Sequence, residues 1–157
     1  VAQQQPWTGG LLEPVRQSVR VRRPIEAAFE FFTRNIGSWW PVETHHLIGD
    51  VEGVVFEGRL GGRIYERTRG GQTADWGRVM AWEPPHRVVF TWNRTRGEGA
   101  ETEIEVRFFA EDATSTRVDL EHRGWEHLAD NAERERTRYL NGWPYVIGRF
   151  AKAAGEA

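Results

Sequence analysis

Few side chains in this sequence could carry acid–base or ligand chemistry. His122 continues the register of Val118 and Leu120 along an alternating segment, so its imidazole should aim to the apolar side of a strand. There it could orient a ligand or serve as acid or base near neutral pH; bonded to backbone, it is a structural histidine instead. Glu66 is the second candidate. On an interior face its carboxylate is costly unless paired, with Arg78 as the expected partner, whereas on the wet face it needs none. The neighbours His45 and His46 point apart and have no third ligand at a recognisable spacing, so no metal is expected. Glu126 and His127 fall in a connecting loop, where they cap or solvate the helix that follows. Gly61-Gly62 and Gly70-Gly71 separate strand-like segments rather than opening a helix, and no Gly-x-Ser-x-Gly elbow occurs. Neither a phosphate cradle nor a serine nucleophile follows, and no cofactor is expected.

The other outlying feature is eight tryptophans in 157 residues. Each brings a large apolar area and one N–H that needs an acceptor when buried, which suits either a bulky core or a pocket wall. The formal net charge of -2 comes from interspersed acids and bases, so nothing favours a nucleic-acid partner. Absence of cysteine excludes disulfides and thiolate metal sites and fits a reducing cytoplasm. No apolar run approaches the roughly 20 residues of a membrane span, and the start, Val1 to Pro6, lacks the layout of a signal peptide, so a cytoplasmic protein without integral membrane association is expected. Residues 1–14 are read as an N-terminal extension and 15–157 as one domain, a length that can bury roughly 70% of the unfolded surface. Homodimer formation stays open.

The elements that must position these groups can be read from period and punctuation. Val15 to Val21 alternates as a first strand, and Pro24 opens a short helix with Ile25, Ala28, Phe29 and Phe32 on one face. Asn35 to Pro41 reads as a second short helix or turn carrying Trp39 and Trp40. Val51 to Glu57 and Arg63 to Thr68 read as strands around Gly61-Gly62. The segment Trp76 to Trp92 forms a hairpin turned at Glu83-Pro84-Pro85-His86, in which Val88, Phe90 and Trp92 share a face and Trp82 packs the turn; Trp76 is undecided between core and pocket. Glu101 to Ala110 alternates with Thr102, Ile104, Val106 and Phe108 inward, and Thr116 to Arg123 alternates likewise. From Leu128 the period becomes 3.6, with Tyr139, Leu140, Trp143, Val146, Ile147, Phe150, Ala151 and Ala154 on one stripe, and Pro144 should bend or loosen this helix. The charged run Asp130 to Arg138 reads as a solvated face. These elements predict an α+β fold: a curved antiparallel sheet of about seven strands wrapped around a long C-terminal helix, with two short helices after the first strand.

Taken in order, Arg23 to Phe29, Gly61-Gly62, Trp76 to Val79, Trp82 to Pro85, Val89 to Trp92, Glu121 to Trp125 and Gly142-Trp143 resemble the START-like, helix-grip (SRPBCC) superfamily. Within it the chain is similar to the bacterial domains related to the C-terminal domain of the Hsp90 ATPase activator. That resemblance covers most of Val15 to Ala154 and implies a cavity between sheet and helix, often holding an apolar small molecule. Trp39, Trp40, Glu66, Trp76, Phe90, Trp92, Phe108, Leu120, His122, Tyr139, Trp143 and Ile147 are the expected lining, and His122 and Glu66 the candidate acid–base groups. The expected partner is a small hydrophobic or aromatic ligand. Two alternatives are a cofactor-independent cyclase or hydratase using the same cavity and, third, a module that binds an Hsp90-type chaperone.

Overall fold

The computed structural model describes residues 12–93 and 101–156; most of the N-terminal extension, including Trp7, lies outside them. Strand β1 (Val15–Val21) is followed by helix α1 (Ile25–Phe32) and a 3-10 helix at Ile36–Ser38. Six strands follow: β2 (Val51–Phe56), β3 (Arg63–Thr68), β4 (Thr73–Glu83), β5 (Arg87–Trp92), β6 (Thr102–Asp112) and β7 (Ser115–Arg123). The chain ends in α2 (Ala132–Ala154). All pairings are antiparallel, in the order β1-β7-β6-β5-β4-β3-β2. β2 to β7 thus form one meander, and β1 closes its far edge. α1 and the 3-10 helix carry the chain from that edge to the opposite one, because β1 and β2 stand at the two ends of a single curved sheet.

One face of the sheet is dry. Val88, Phe90 and Trp92 of β5, Thr102, Ile104, Val106 and Phe108 of β6, and Thr116, Val118, Leu120 and His122 of β7 are all buried. Removal of this surface from water, at roughly 25 cal/mol per Å², is the main force holding α2 in the concavity. Val146, Ile147, Phe150, Ala151 and Ala154 form the facing stripe of α2. Gly77 marks a point of close approach: a Cβ there would lie 1.8 Å from the Thr91 carbonyl oxygen. Only glycine lets β4 meet β5 at this point, next to the register shift between Val79 and Ala81.

The expected elements appear with four local differences. The segment after β7 is a 3-10 helix, Trp125–Asn131, rather than a loop or the first turns of α2, because Ala129 at φ 51° interrupts helical geometry. Leu140 is exposed and off the apolar stripe, while Glu135 in the charged run is buried. Pro144 lies inside α2, which runs from Ala132 to Ala154. Trp82 reaches past its turn to Phe29, with ring centroids 5.0 Å apart, under the guanidinium of Arg34. The outer face of β5, β6 and β7 is tied by ion pairs: Glu105 meets Arg87 at 2.6 Å, Arg107 at 2.6 Å and Arg123 at 2.6 Å. Those three guanidinium groups hold its carboxyl down at about 2 despite burial.

Candidate functional site

The tryptophans converge at one end of the concavity. The 3-10 helix delivers Trp40 over the sheet, where its ring centroid lies 4.9 Å from Trp76 of β4 and 5.7 Å from Trp92 of β5. Trp143 of α2 meets Trp40 edge-on at 6.3 Å, closing the group from the helix side. Such rings prefer edge and tilted contacts because their faces are negative and their rims positive. Each indole N–H in this group has an acceptor: Trp40 donates to the His45 carbonyl (2.8 Å), Trp76 to Glu66 (2.8 Å), Trp92 to the Tyr139 hydroxyl (3.1 Å) and Trp143 to His122 Nδ1 (3.0 Å).

His122 is fully buried between β7 and α2, against Trp125 and Tyr139. An indole can only donate, so Nδ1 must accept and the ring proton sits on Nε2. Nε2 faces Thr102 Oγ1 at 2.7 Å, and that hydroxyl donates onward to the Trp92 carbonyl at 3.2 Å. Burial pushes the imidazole's pKa down from 6.5 to about 3, and a proton on Nδ1 would set two donors face to face. His122 is therefore neutral at pH 7, with both nitrogens engaged by protein.

Glu66 is also fully buried, on the interior face of β3. Its expected pairing with Arg78 does not occur: Arg78 is exposed on the other side of β4, where the strand's alternation puts it. The carboxylate instead accepts the backbone N–H groups of Leu47 (2.6 Å, Oε1) and Ile48 (2.7 Å, Oε2) and the indole N–H of Trp76. It holds down the segment between the 3-10 helix and β2, the segment that carries His45 and His46. His45 stacks on Tyr145 of α2 at 5.6 Å, and Glu43 pairs with Arg149 at 2.7 Å, so the same segment also grips α2.

Between this segment and α2 lies a hollow of 150 Å³ lined by Trp40, Thr44, His45, His46, Arg138, Tyr139, Gly142, Trp143 and Val146. It is smaller than the roughly 300 Å³ of an ordinary small-molecule pocket. Of the expected lining, Trp40, Tyr139 and Trp143 reach it. Trp76, Phe90, Trp92, Phe108, Leu120, His122, Ile147 and Glu66 belong to the packed layer, and Trp39 fills the space between Phe32 and Phe150. Sequence reading missed Thr44, His45, His46, Arg138, Gly142 and Val146 as lining. A glycine at mid-helix, beside a tryptophan, was the available signal for Gly142. A larger open depression of 660 Å³ lies on the outer face of β1, β7 and β6. Arg16, Glu105, Arg107, Arg117, Asp119, Glu121 and Arg123 line it with paired charges. Among the described residues no three of His, Cys, Asp or Glu converge as metal ligands would, and no helix is long and apolar enough to cross a membrane.

The family model for activator of Hsp90 ATPase homolog 1-like protein matches residues 22–155, from the end of β1 to the end of α2. The chain belongs to this family. Among solved structures, an anthrahydroquino-γ-pyrone synthase, Txn09, is 33% identical to this Hsp90-activator-like chain, covering 92% of it and 99% of the synthase, with a TM-score of 0.62. A Bacillus halodurans protein, BH1534, shares the fold at 18% identity and a TM-score of 0.64, covering 92% of this chain and 98% of its own. An HSP90 activator from Plasmodium falciparum does so at 19% identity and a TM-score of 0.51, with 71% and 72% coverage. Among curated proteins none matches significantly.

Proposed function

We propose that this chain binds a small hydrophobic or aromatic molecule in the hollow between α2 and the segment that carries Trp40, Thr44, His45 and His46. The observation that carries the reading is the aromatic floor formed by Trp40, Tyr139 and Trp143. Its indole N–H groups already donate to protein acceptors, so the floor offers π-surface rather than a pattern of donors. The relationship to the anthrahydroquino-γ-pyrone synthase supports a ring-containing ligand. A volume of about 150 Å³ is that of a benzene-sized group. The hollow takes one ring, and a larger ligand leaves its remainder at the rim. Native mass spectrometry with tryptophan fluorescence, across lipids, polyketides and simple aromatics, tests this. Saturable quenching with one retained ligand per chain is expected; no retained mass and no saturable change would overturn it.

A second reading is cofactor-independent cyclase- or hydratase-like catalysis at the same place, favoured by the 33% identity to a synthase. Neither His122 nor Glu66 lines the hollow, so this reading gives proton transfer to the rim residues His45 and His46. Turnover of a polyketide substrate that falls in folded His45→Ala and His46→Ala variants supports it; turnover indifferent to both histidines sinks that assignment. The Plasmodium falciparum neighbour carries the fold alone, and no chaperone role is drawn from it.

A further inference from the structure

The hollow divides its chemistry by depth. At the inner end stand Trp40 and Trp143, whose polar atoms already serve the protein. At the rim stand Thr44, His45, His46 and Arg138. The Arg138 side chain is 73% exposed and touches Glu135 through a single nitrogen, Nη1, at 3.5 Å. A guanidinium has five N–H donors in a planar fork that matches an oxyanion, so this one long contact leaves most of its donors to other acceptors. Glu135 itself is not part of the lining.

A second observation lies between rim and floor. Gly142 follows Arg138 by four residues on the same face of α2, and it lines the hollow. A glycine inside a helix weakens it relative to alanine. A Cβ at Gly142 would meet nothing within 4 Å, so packing does not require the glycine. Its missing side chain leaves open space in the hollow that Arg138 and Trp143 also line.

Resting on the reading that this hollow binds a ligand, we propose that the ligand is an aromatic anion, an aryl carboxylate or phenolate. It enters ring first past Gly142 and leaves its charged oxygen at the rim against Arg138. Arg138 selects the head group and Gly142 admits the ring. A neutral floor under a cationic rim is complementary to a molecule that is apolar at one end and anionic at the other.

Three probes with the same ring separate the possibilities: benzoate, benzamide and benzylamine, titrated while the indole N–H resonances of Trp40 and Trp143 are followed by NMR. Benzoate should bind about fivefold more tightly than benzamide, and benzylamine most weakly, with the benzoate advantage shrinking in high salt. Arg138→Gln should bring benzoate to the level of benzamide and leave benzamide unchanged. Gly142→Leu should abolish binding of both, and Gly142→Ala weaken it, with the circular dichroism of α2 retained. Equal affinity for benzoate and benzamide, or an Arg138→Gln variant that binds benzoate normally, overturns the anionic class while leaving aromatic binding intact. Undiminished binding in a folded Gly142→Leu variant overturns the entry path. Failure of all three probes and of every ligand in the broader library removes the binding reading itself.

Discussion

Glutamine at position 66 would put an NH₂ where the carboxylate now accepts a backbone N–H, since Oε1 and Oε2 face Leu47 and Ile48 respectively. One buried donor would then oppose another, at a cost of about 1–3 kcal/mol. Glu66→Gln should therefore lower stability by that amount in urea unfolding and speed hydrogen exchange at the Leu47 and Ile48 amides more than in the β5–β6 ladder. Exchange unchanged at those amides would show that the segment holds its place without Glu66. His122 is comparable: its polar atoms link α2 to β6 and, through Thr102, to β5. Thr102→Val would strand the Nε2 proton and should cost about 1–3 kcal/mol, read from the same measurement.

At the scale of elements, α2 forms the wall that faces the sheet, yet it contains Pro144, which cannot donate to the Leu140 carbonyl. Pro144 is exposed and lies outside the buried core cluster. Pro144→Ala should raise stability by about 1–3 kcal/mol, seen as a higher denaturation midpoint with an unchanged slope. A loss of stability would mean that the proline ring is needed where Trp143 docks. The β5–β6–β7 face has a different logic. Glu105 is buried among three arginines that are themselves partly exposed, so Glu105→Gln should cost about 1–3 kcal/mol, less than breaking a fully buried pair.

For the whole molecule, His122 and Glu105 are two groups that make stability depend on acid. Both titrate below their ordinary values when folded, His122 at about 3 against 6.5 and Glu105 at about 2 against 4.5. The unfolded chain therefore binds protons that the folded chain refuses, and stability falls with acid: first as pH drops from 6.5 towards 3 for His122, then from 4.5 towards 2 for Glu105. Between pH 6.5 and about 5 the histidine alone should remove about 1–2 kcal/mol. A His122→Leu variant should be less stable than the parent at pH 7 and should lose less between those limits, measured by urea unfolding at each pH. Parallel pH profiles for the two proteins would contradict the buried neutral imidazole.

Alternation in β5, β6 and β7 and the apolar stripe of α2 were legible from residue types alone, because burial selects side chains at the period of the element that carries them. With them came the sheet, the long helix and the inward aim of His122. Two things needed the fold. Glu66 faces inward, yet its partners are backbone amides 18 and 19 residues away rather than the arginine that local sequence offered, and backbone donors leave no mark in residue identity. The extent of the hollow was decided the same way: whether eight tryptophans fill a core or line a space depends on how rings from separate elements meet. Here Trp76 and Trp92 close on one another, while Trp40 and Trp143 are left bordering an opening of 150 Å³ whose rim comes from Thr44, His45, His46 and Arg138.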